Sequence, residues 1–309
     1  MTDHLRRDLN WPRASAWLDG ETLSEASGRL AVIGAPLARG SITPGRCDLA
    51  PAAIRKALER FSTYDLDSAR DVRGLRAQEL GDLDLAVLSP EEALAPIRDA
   101  VAAALKTAEA VVLLGGDNSI TRPGCHGLGD LAPCGLLTLD AHLDLRDLED
   151  GLSNGNPVRA LLRDGLPGSH IVQIGLQSFA NSGAYAMVAR NAGIRVISAK
   201  ATLQRGIGYV MEEALLHLER ETDRIYVDLD LDVLDRTYAP ATPGSRPGGL
   251  APYHIRQAAR LCGEHPKVRV LDLVEIDPTR DIADVTVMAA AACLLEFSLG
   301  VLKRLSPND

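Results

Sequence analysis

Short runs of uninterrupted apolar residues recur along this chain, each followed by a Gly, Asp or Asn cluster and then by an Ala-, Leu- and Arg-rich stretch. A strand with one wet face alternates apolar and polar residues. A strand that is apolar throughout is expected in a parallel sheet covered by helices on both faces. The runs place strands at Leu30–Gly34, Ala110–Leu114, Gly135–Leu139, His170–Ile174, Ile194–Ser198, Arg224–Leu229 and Val268–Val274. Helices are expected between them at Ala52–Phe61, Val158–Arg163, Ser182–Ala192, Tyr209–Glu219 and Tyr253–Leu261. A further helix should run from a Ser89 cap, with Pro90 in its first turn, to about Ala108, and a last apolar one over Asp284–Leu302. This alternation gives an α/β fold, a three-layer αβα sandwich around a central parallel sheet. No linker, repeat or low-complexity tract divides the sequence, and the Pro/Gly-rich Pro240–Gly249 is too short to separate domains. One domain over 29–309 is expected, after an N-terminal extension of residues 1–28.

Composition narrows the function classes. Of 309 residues only 4% are aromatic, too few for the stacking platforms that hold single-stranded nucleic acid. A net charge of −9 also disfavours a polyanionic partner. No window approaches the ~18–20 uninterrupted apolar residues of a membrane span, and Met1–Trp17 lacks the apolar core of a secretory signal. Cys47, Cys125, Cys134, Cys262 and Cys293 are scattered with no C-x-x-C pair, as thiols in a reducing compartment would be. The expectation is a cytoplasmic protein with a small-molecule ligand, no nucleic acid and no membrane.

In open parallel sheets, ligands bind beyond the carboxyl ends of the strands. Three of the expected strands end in polar clusters: Gly115-Gly-Asp-Asn-Ser119, Asp140-Ala-His-Leu-Asp144 and Asp228-Leu-Asp-Leu-Asp232. In extended backbone, residues i, i+2 and i+4 share a face, so Asp140, His142 and Asp144 should converge, as should Asp230 and Asp232. Four carboxylates and an imidazole in a small volume repel one another unless a cation compensates. Oxygen-rich ligation with one nitrogen suits Mn²⁺ better than a structural zinc, and bridging carboxylates suit two ions about 3.5–4 Å apart. A lone D-x-D at a strand end is more often a turn or a solvated loop. Its pairing with D-A-H-x-D after a second strand favours the metal. Asp228, one step deeper, reads either as a support to the ligands or as a buried hydrogen-bonded carboxylate. His126 follows Cys125, but nothing nearby completes a metal set, and His4, His170, His217, His254 and His265 have no partner pattern. Gly115-Gly116 is no nucleotide loop, since neither G-x-G-x-x-G nor G-K-[S/T] follows it.

From about Gly34 onward the sequence resembles the ureohydrolase superfamily of arginases, agmatinases, guanidino-acid hydrolases and formimidoylglutamases. The resemblance rests on Gly34-Ala-Pro with Pro51-Ala-Ala-Ile-Arg55, Gly115–Ser119, Asp140–Asp144, Asp230-Leu-Asp-Val-Leu-Asp235, Pro243-Gly244 and Val274-Glu-Ile-Asp-Pro278. Within that superfamily it is most similar to the formimidoylglutamase branch. Asp140-Ala-His-Leu-Asp-Leu-Arg146 with Ser153-Asn-Gly-Asn-Pro-Val-Arg159, Gln173–Ser182, and Ala239-Pro240 with Gly248-Gly-Leu250 carry that likeness. Arginases and agmatinases usually have a histidine where Asn154 stands, and the superfamily usually has one where Asn118 stands.

The resemblance implies an arginase-like fold, two manganese ions per chain and a homo-oligomer, trimeric or hexameric. It implies metal ligands Asn118, Asp140, His142, Asp144, Asp230 and Asp232, with Asp140 and Asp230 shared between the ions. His142 and Asp232 would complete one site and Asp144 and Asn118 the other, the latter held less tightly because an amide is a weaker donor than imidazole. Asp144 would also carry a proton to the departing amine, and Glu275 would orient a planar amidinium. Hydrolysis of N-formimidoyl-L-glutamate to L-glutamate and formamide is the implied reaction. Its substrate carries two carboxylates, for which Arg159, then Asn181 and Arg146, with Asn154 beside them, are the candidate receptors. Agmatine, a dication, would be repelled by such a pocket. The alternatives are an agmatinase or guanidino-acid hydrolase, or a metal-poor relative that binds a ligand without catalysis.

Overall fold

The computed structural model describes residue 8 and residues 10–306. Its strands are β1 (Ser27–Ala35), a small hairpin of β2 (Tyr64–Asp65) and β3 (Arg70–Asp71), β4 (Leu75–Asp82), β5 (Ala110–Gly115), β6 (Cys134–Leu139), β7 (Ile171–Leu176), β8 (Arg195–Ser198), β9 (Arg224–Asp230) and β10 (Val268–Val274). All but β2 and β3 join one eight-stranded sheet in the order β4-β1-β5-β10-β9-β6-β7-β8. Every pairing in it is parallel. The apolar runs are the cause. Leu30 and Val32 of β1 enter one core while Ala31 and Ile33 enter the other, so neither face could tolerate water.

Helices α1 (Ala14–Leu18), α2 (Ala50–Ala57), α7 (Ala199–Arg205), α8 (Ile207–Glu221), α9 (Pro252–Glu264) and α10 (Val285–Leu305) cover the first face. Helices α3 (Leu94–Ala104), α4 (Thr121–His126), α5 (Pro157–Asp164) and α6 (Gly183–Ala192) cover the second. The αβα sandwich expected from the sequence is the observed architecture.

Four expectations need correction. The strand β4 was not anticipated, because at the sheet edge it is half exposed and reads as a mixed polar run. Residues 14–18 are no loose extension. They form α1, where Trp17 is fully buried and its Nε1–H donates to the Leu75 carbonyl at 2.8 Å. Ser89 and Glu92 do exchange the reciprocal bonds of a capping box, but α3 opens only at Leu94, with Pro96 in its first turn, and ends at Ala104. Finally, the expectation weighed only uninterrupted runs, and α10, broken by Glu296, is still long and apolar enough by composition to cross a membrane. Its apolar surface is spent inside the protein: Ala290, Ala291, Cys293, Leu294, Phe297 and Val301 are fully buried. His4 lies outside the described residues.

Candidate metal centre and active-site cavity

The four central strands β5, β10, β9 and β6 end at one edge of the sheet, and their following loops converge there. Asp140 opens the loop after β6, and its Oδ1 accepts the His142 N–H at 2.7 Å. Asp230 ends β9, and its Oδ1 accepts the Asp232 N–H at 2.8 Å. Asp232 Oδ1 in turn accepts the Ala141 N–H at 3.2 Å. Backbone donors thus fix one oxygen of each carboxylate and leave the second for another task. His142 Nδ1 lies 2.9 Å from Asp232 Oδ2 and 3.5 Å from Asp140 Oδ1. One donor atom from each of Asp140, His142 and Asp232 falls within 4.8 Å of the others. Asp144 takes a left-handed backbone, φ 51°, and its Oδ2 meets the Asn118 Nδ2 at 2.5 Å.

Burial dominates the electrostatics. It raises Asp140 to about 6, with Asp232 adding to it, and lifts Asp144 and Asp230 well above the usual carboxylate range. Burial pulls the His142 imidazole down, but Asp232 and Asp140 outweigh it and push its pKa to about 11. Asp232 is lowered despite burial, because that imidazole faces it. Such a cluster attracts positive charge strongly. Two further observations fit a metal ion. Asp140 Oδ2 is buried with no hydrogen-bond partner. Gly244 passes so close that a Cβ there would stand 2.0 Å from Asp232 Oδ2 and 2.9 Å from His142 Cε1. The donors, carboxylate oxygens with one imidazole nitrogen, suit a divalent cation of the manganese type.

A cavity of about 340 Å³ opens above this cluster, with His142, Asp144, Asp230 and Asp232 on its floor. Glu275 lines it from the end of β10, held at φ 63°. Its Oε1 accepts the Asn118 N–H at 2.7 Å and the Asn154 Nδ2–H at 3.0 Å, so Oε2 is left for a ligand. Burial, then Asp117, raises Glu275 to about 8. Arg146, Asn154 and Asn181 also line the cavity. The Asn181 amide is engaged by the loop after β6: Oδ1 accepts the Leu143 N–H and Nδ2 donates to the Ala141 carbonyl. Arg159, expected to receive a substrate carboxylate, is not brought to the cavity. It sits on α5 over a separate depression with Asp147 and Glu149, and its backbone N–H is what serves the site, donating to the Asp144 carbonyl at 3.1 Å. The cavity's second arginine is Arg246 instead, with Nη1 2.8 Å from both His142 Nε2 and the Gly244 carbonyl. Sequence reading passed over it as part of a Pro/Gly loop. The signal available was a lone cation in the segment that crosses the ligand cluster.

Comparison with known proteins agrees with this geometry. The model of the arginase family matches residues 28–300. The chain belongs to the arginase family. Among relatives of this arginase-family chain is a formimidoylglutamase of Halalkalibacterium halodurans, 38% identical over 87% of the chain and 86% of the relative. A formimidoylglutamase of Bacillus subtilis is 33% identical over 90% and 88%. The crystal structure of a Bacillus subtilis formimidoylglutamase superposes with a TM-score of 0.89 at 30% identity, covering 98% of this chain and 95% of that one.

Beneath the arginase-family centre, Asp228 pairs in register with Asp272 of β10, and burial together with that neighbour raises its pKa well above the usual range. Both its carboxylate oxygens are buried without a hydrogen-bond partner. The five cysteines are free and buried. Cys125 and His126 do not act together: His126 Nε2 meets Asp164 at 3.0 Å, beside Arg122.

Proposed function

We propose that this protein hydrolyses N-formimidoyl-L-glutamate and water to L-glutamate and formamide, with two manganese ions held by Asp140, His142, Asp144, Asp230, Asp232 and Asn118. The observation that carries the reading is the pairing, in one cavity, of a carboxylate cluster and Glu275 with two arginines, Arg146 and Arg246. A monocationic amidine that bears two carboxylates matches that division of charge. Agmatine, cationic at both ends, does not. The formimidoylglutamase relatives at 33–38% identity support the same substrate.

Two bound divalent ions would lower the pKa of water at the cavity floor and neutralise charge that develops during attack. The remaining work falls to side chains. Glu275 Oε2 accepts from the amidinium N–H groups and fixes its plane, while Asn154 and the Asn118 backbone hold Oε1. Asp144 carries the proton to the departing α-nitrogen through the oxygen that Asn118 does not occupy. Arg246 is poised to change partners. The imidazole of His142 bears a hydrogen on Nε2 both when protonated and when it ligates through Nδ1. The contact with Arg246 Nη1 then sets donor against donor. A substrate carboxylate is the better partner, and Arg146, which also lines the cavity, takes the second.

The test is product analysis on manganese-loaded protein. Formamide released from N-formimidoyl-L-glutamate supports the reading. Urea released from agmatine would sink the anion-pocket argument. Urea from a guanidino acid would keep the arginines and change the reacting group. Neither product, with no metal retained, would mark a non-catalytic binding protein. Five free buried thiols support a reducing, cytoplasmic location, and the family resemblance supports a homo-oligomer, trimeric or hexameric.

A further inference from the structure

Asparagine is an ambiguous metal ligand, because only its oxygen binds a cation and its NH₂ occupies nearly the same space half a turn away. Something must choose between them. Thr121, fully buried at the start of α4, has its hydroxyl oxygen 2.7 Å from Asn118 Oδ1 and 2.8 Å from Asp272 Oδ2. Asp272 is already an acceptor for the Tyr226 hydroxyl at 2.6 Å and the Leu229 N–H at 3.2 Å. A hydroxyl has one proton, so Thr121 cannot donate to Asn118 and Asp272 at once. Two arrangements are open, and each leaves one contact without a proton: Thr121 with Asp272 in the first, Asn118 with Asp144 in the second. In one, Thr121 donates to Asn118 Oδ1, and Asn118 Nδ2 donates to Asp144 Oδ2. In the other the amide is turned over: Nδ2 donates to Thr121, Thr121 donates to Asp272, and Oδ1 faces Asp144. Two oxygens 2.5 Å apart repel unless a cation draws them both, so the second arrangement belongs to the metal-bound protein.

We propose that Thr121 is a positioning residue that couples the orientation of the Asn118 amide to metal binding, accepting from Nδ2 so that Oδ1 is presented to the ion beside Asp144. This rests on the dinuclear reading above. Asp272 and Tyr226 give the hydroxyl a fixed outlet for its proton, and so make it an acceptor on the Asn118 side. Valine in its place fills the same volume but can neither accept nor donate, leaving a buried NH₂ without a partner whenever the oxygen binds.

The experiment is a manganese titration of the stripped full-length protein, following free Mn²⁺ by electron paramagnetic resonance. It compares wild type, Thr121→Val and Thr121→Ser, and repeats the valine change in an Asn118→Asp background. Wild type should bind two ions. Thr121→Val should hold one with unchanged affinity and the other roughly ten- to a hundredfold more weakly, while Thr121→Ser restores it. A carboxylate presents oxygen either way round, so in the Asn118→Asp background the valine should cost less than about threefold. Wild-type affinity for both ions in Thr121→Val overturns the proposal. So does a serine variant as weak as the valine one, or an equal loss in the Asn118→Asp background. A wild type that binds one ion yet releases formamide would remove this inference and leave the proposed function standing. Two ions without formamide release would do the reverse.

Discussion

The Glu275 carboxyl gives the sharpest quantitative test. In the unfolded chain it loses its proton near 4.5, whereas burial, with Asp117 next, holds the proton in the folded chain up to about 8. Between those values the native state carries the extra proton, so raising the pH favours unfolding. The loss accumulates at about 1.4 kcal/mol per pH unit and levels off near ~5 kcal/mol above pH 8. Glutamine keeps the shape and the Oε1 acceptor for Asn118 and Asn154 but has no proton to hold. In chelator, therefore, the stability of Glu275→Gln relative to wild type should rise by about 3 kcal/mol between pH 4.5 and pH 7 and by a further ~1–2 kcal/mol to its plateau. Urea denaturation at half-unit pH steps reads this directly. Manganese should shrink the difference, because cations beside the carboxylate favour its charged form. The same variant should lose at least about a thousandfold in kcat/KM, since it cannot meet an amidinium with negative charge. A stability difference that stays flat from pH 5 to pH 8 would refute the reasoning, by showing that Glu275 is already ionised in the folded chain.

Other outcomes follow from geometry. Arg246→Ala should raise KM for N-formimidoyl-L-glutamate roughly ten- to a hundredfold with kcat changed less than about threefold, whereas Arg159→Ala should stay within about twofold on both, by steady-state kinetics. Gly244→Ala puts a methyl group 2.0 Å from Asp232 Oδ2, far inside contact distance. It should abolish manganese retention, measured by elemental analysis, and activity with it, while the stripped protein unfolds near the wild-type urea midpoint. Trp17→Ala removes a fully buried indole and its bond to the Leu75 carbonyl. It should cost about 3–5 kcal/mol of unfolding free energy and leave KM of the folded enzyme unchanged.

Much of the fold was legible because a buried parallel sheet leaves a plain mark: β10 was read at Val268–Val274 and observed there, and β5, β6 and β9 within a residue of expectation. The same criterion missed β4, since an edge strand has water on one side and does not read as an apolar run. It also missed α1, five residues long and held by Trp17 and its neighbours rather than by any periodicity. At the site, the sequence pointed to Asp140 and His142 after one strand and to Asp232 after another, but they meet through turns rather than strand periodicity: none of the three lies within a strand, and Asp232 sits in a 3-10 turn. The wall of the cavity is another matter. Arg159 and Arg246 both lie on loop-proximal segments, and which guanidinium turns inward depends on how α5 and the Gly244 loop pack. Locally the sequence offers only the lone cation of the Pro240–Gly249 loop, and that does not say which way it turns.

The place of β10 in the sheet has a consequence for how the enzyme comes into being. The last strand to leave the ribosome is inserted between β5 and β9, in the middle of the finished sheet. Until it arrives, the earlier strands can form only two separate pieces, each with an open edge, and no set of side chains able to close the cavity. A chain that stops short of Val268 is therefore not a weakened enzyme. It is two sticky half-sheets and a hazard to its neighbours, and Glu275, which follows β10, is still missing from the cavity.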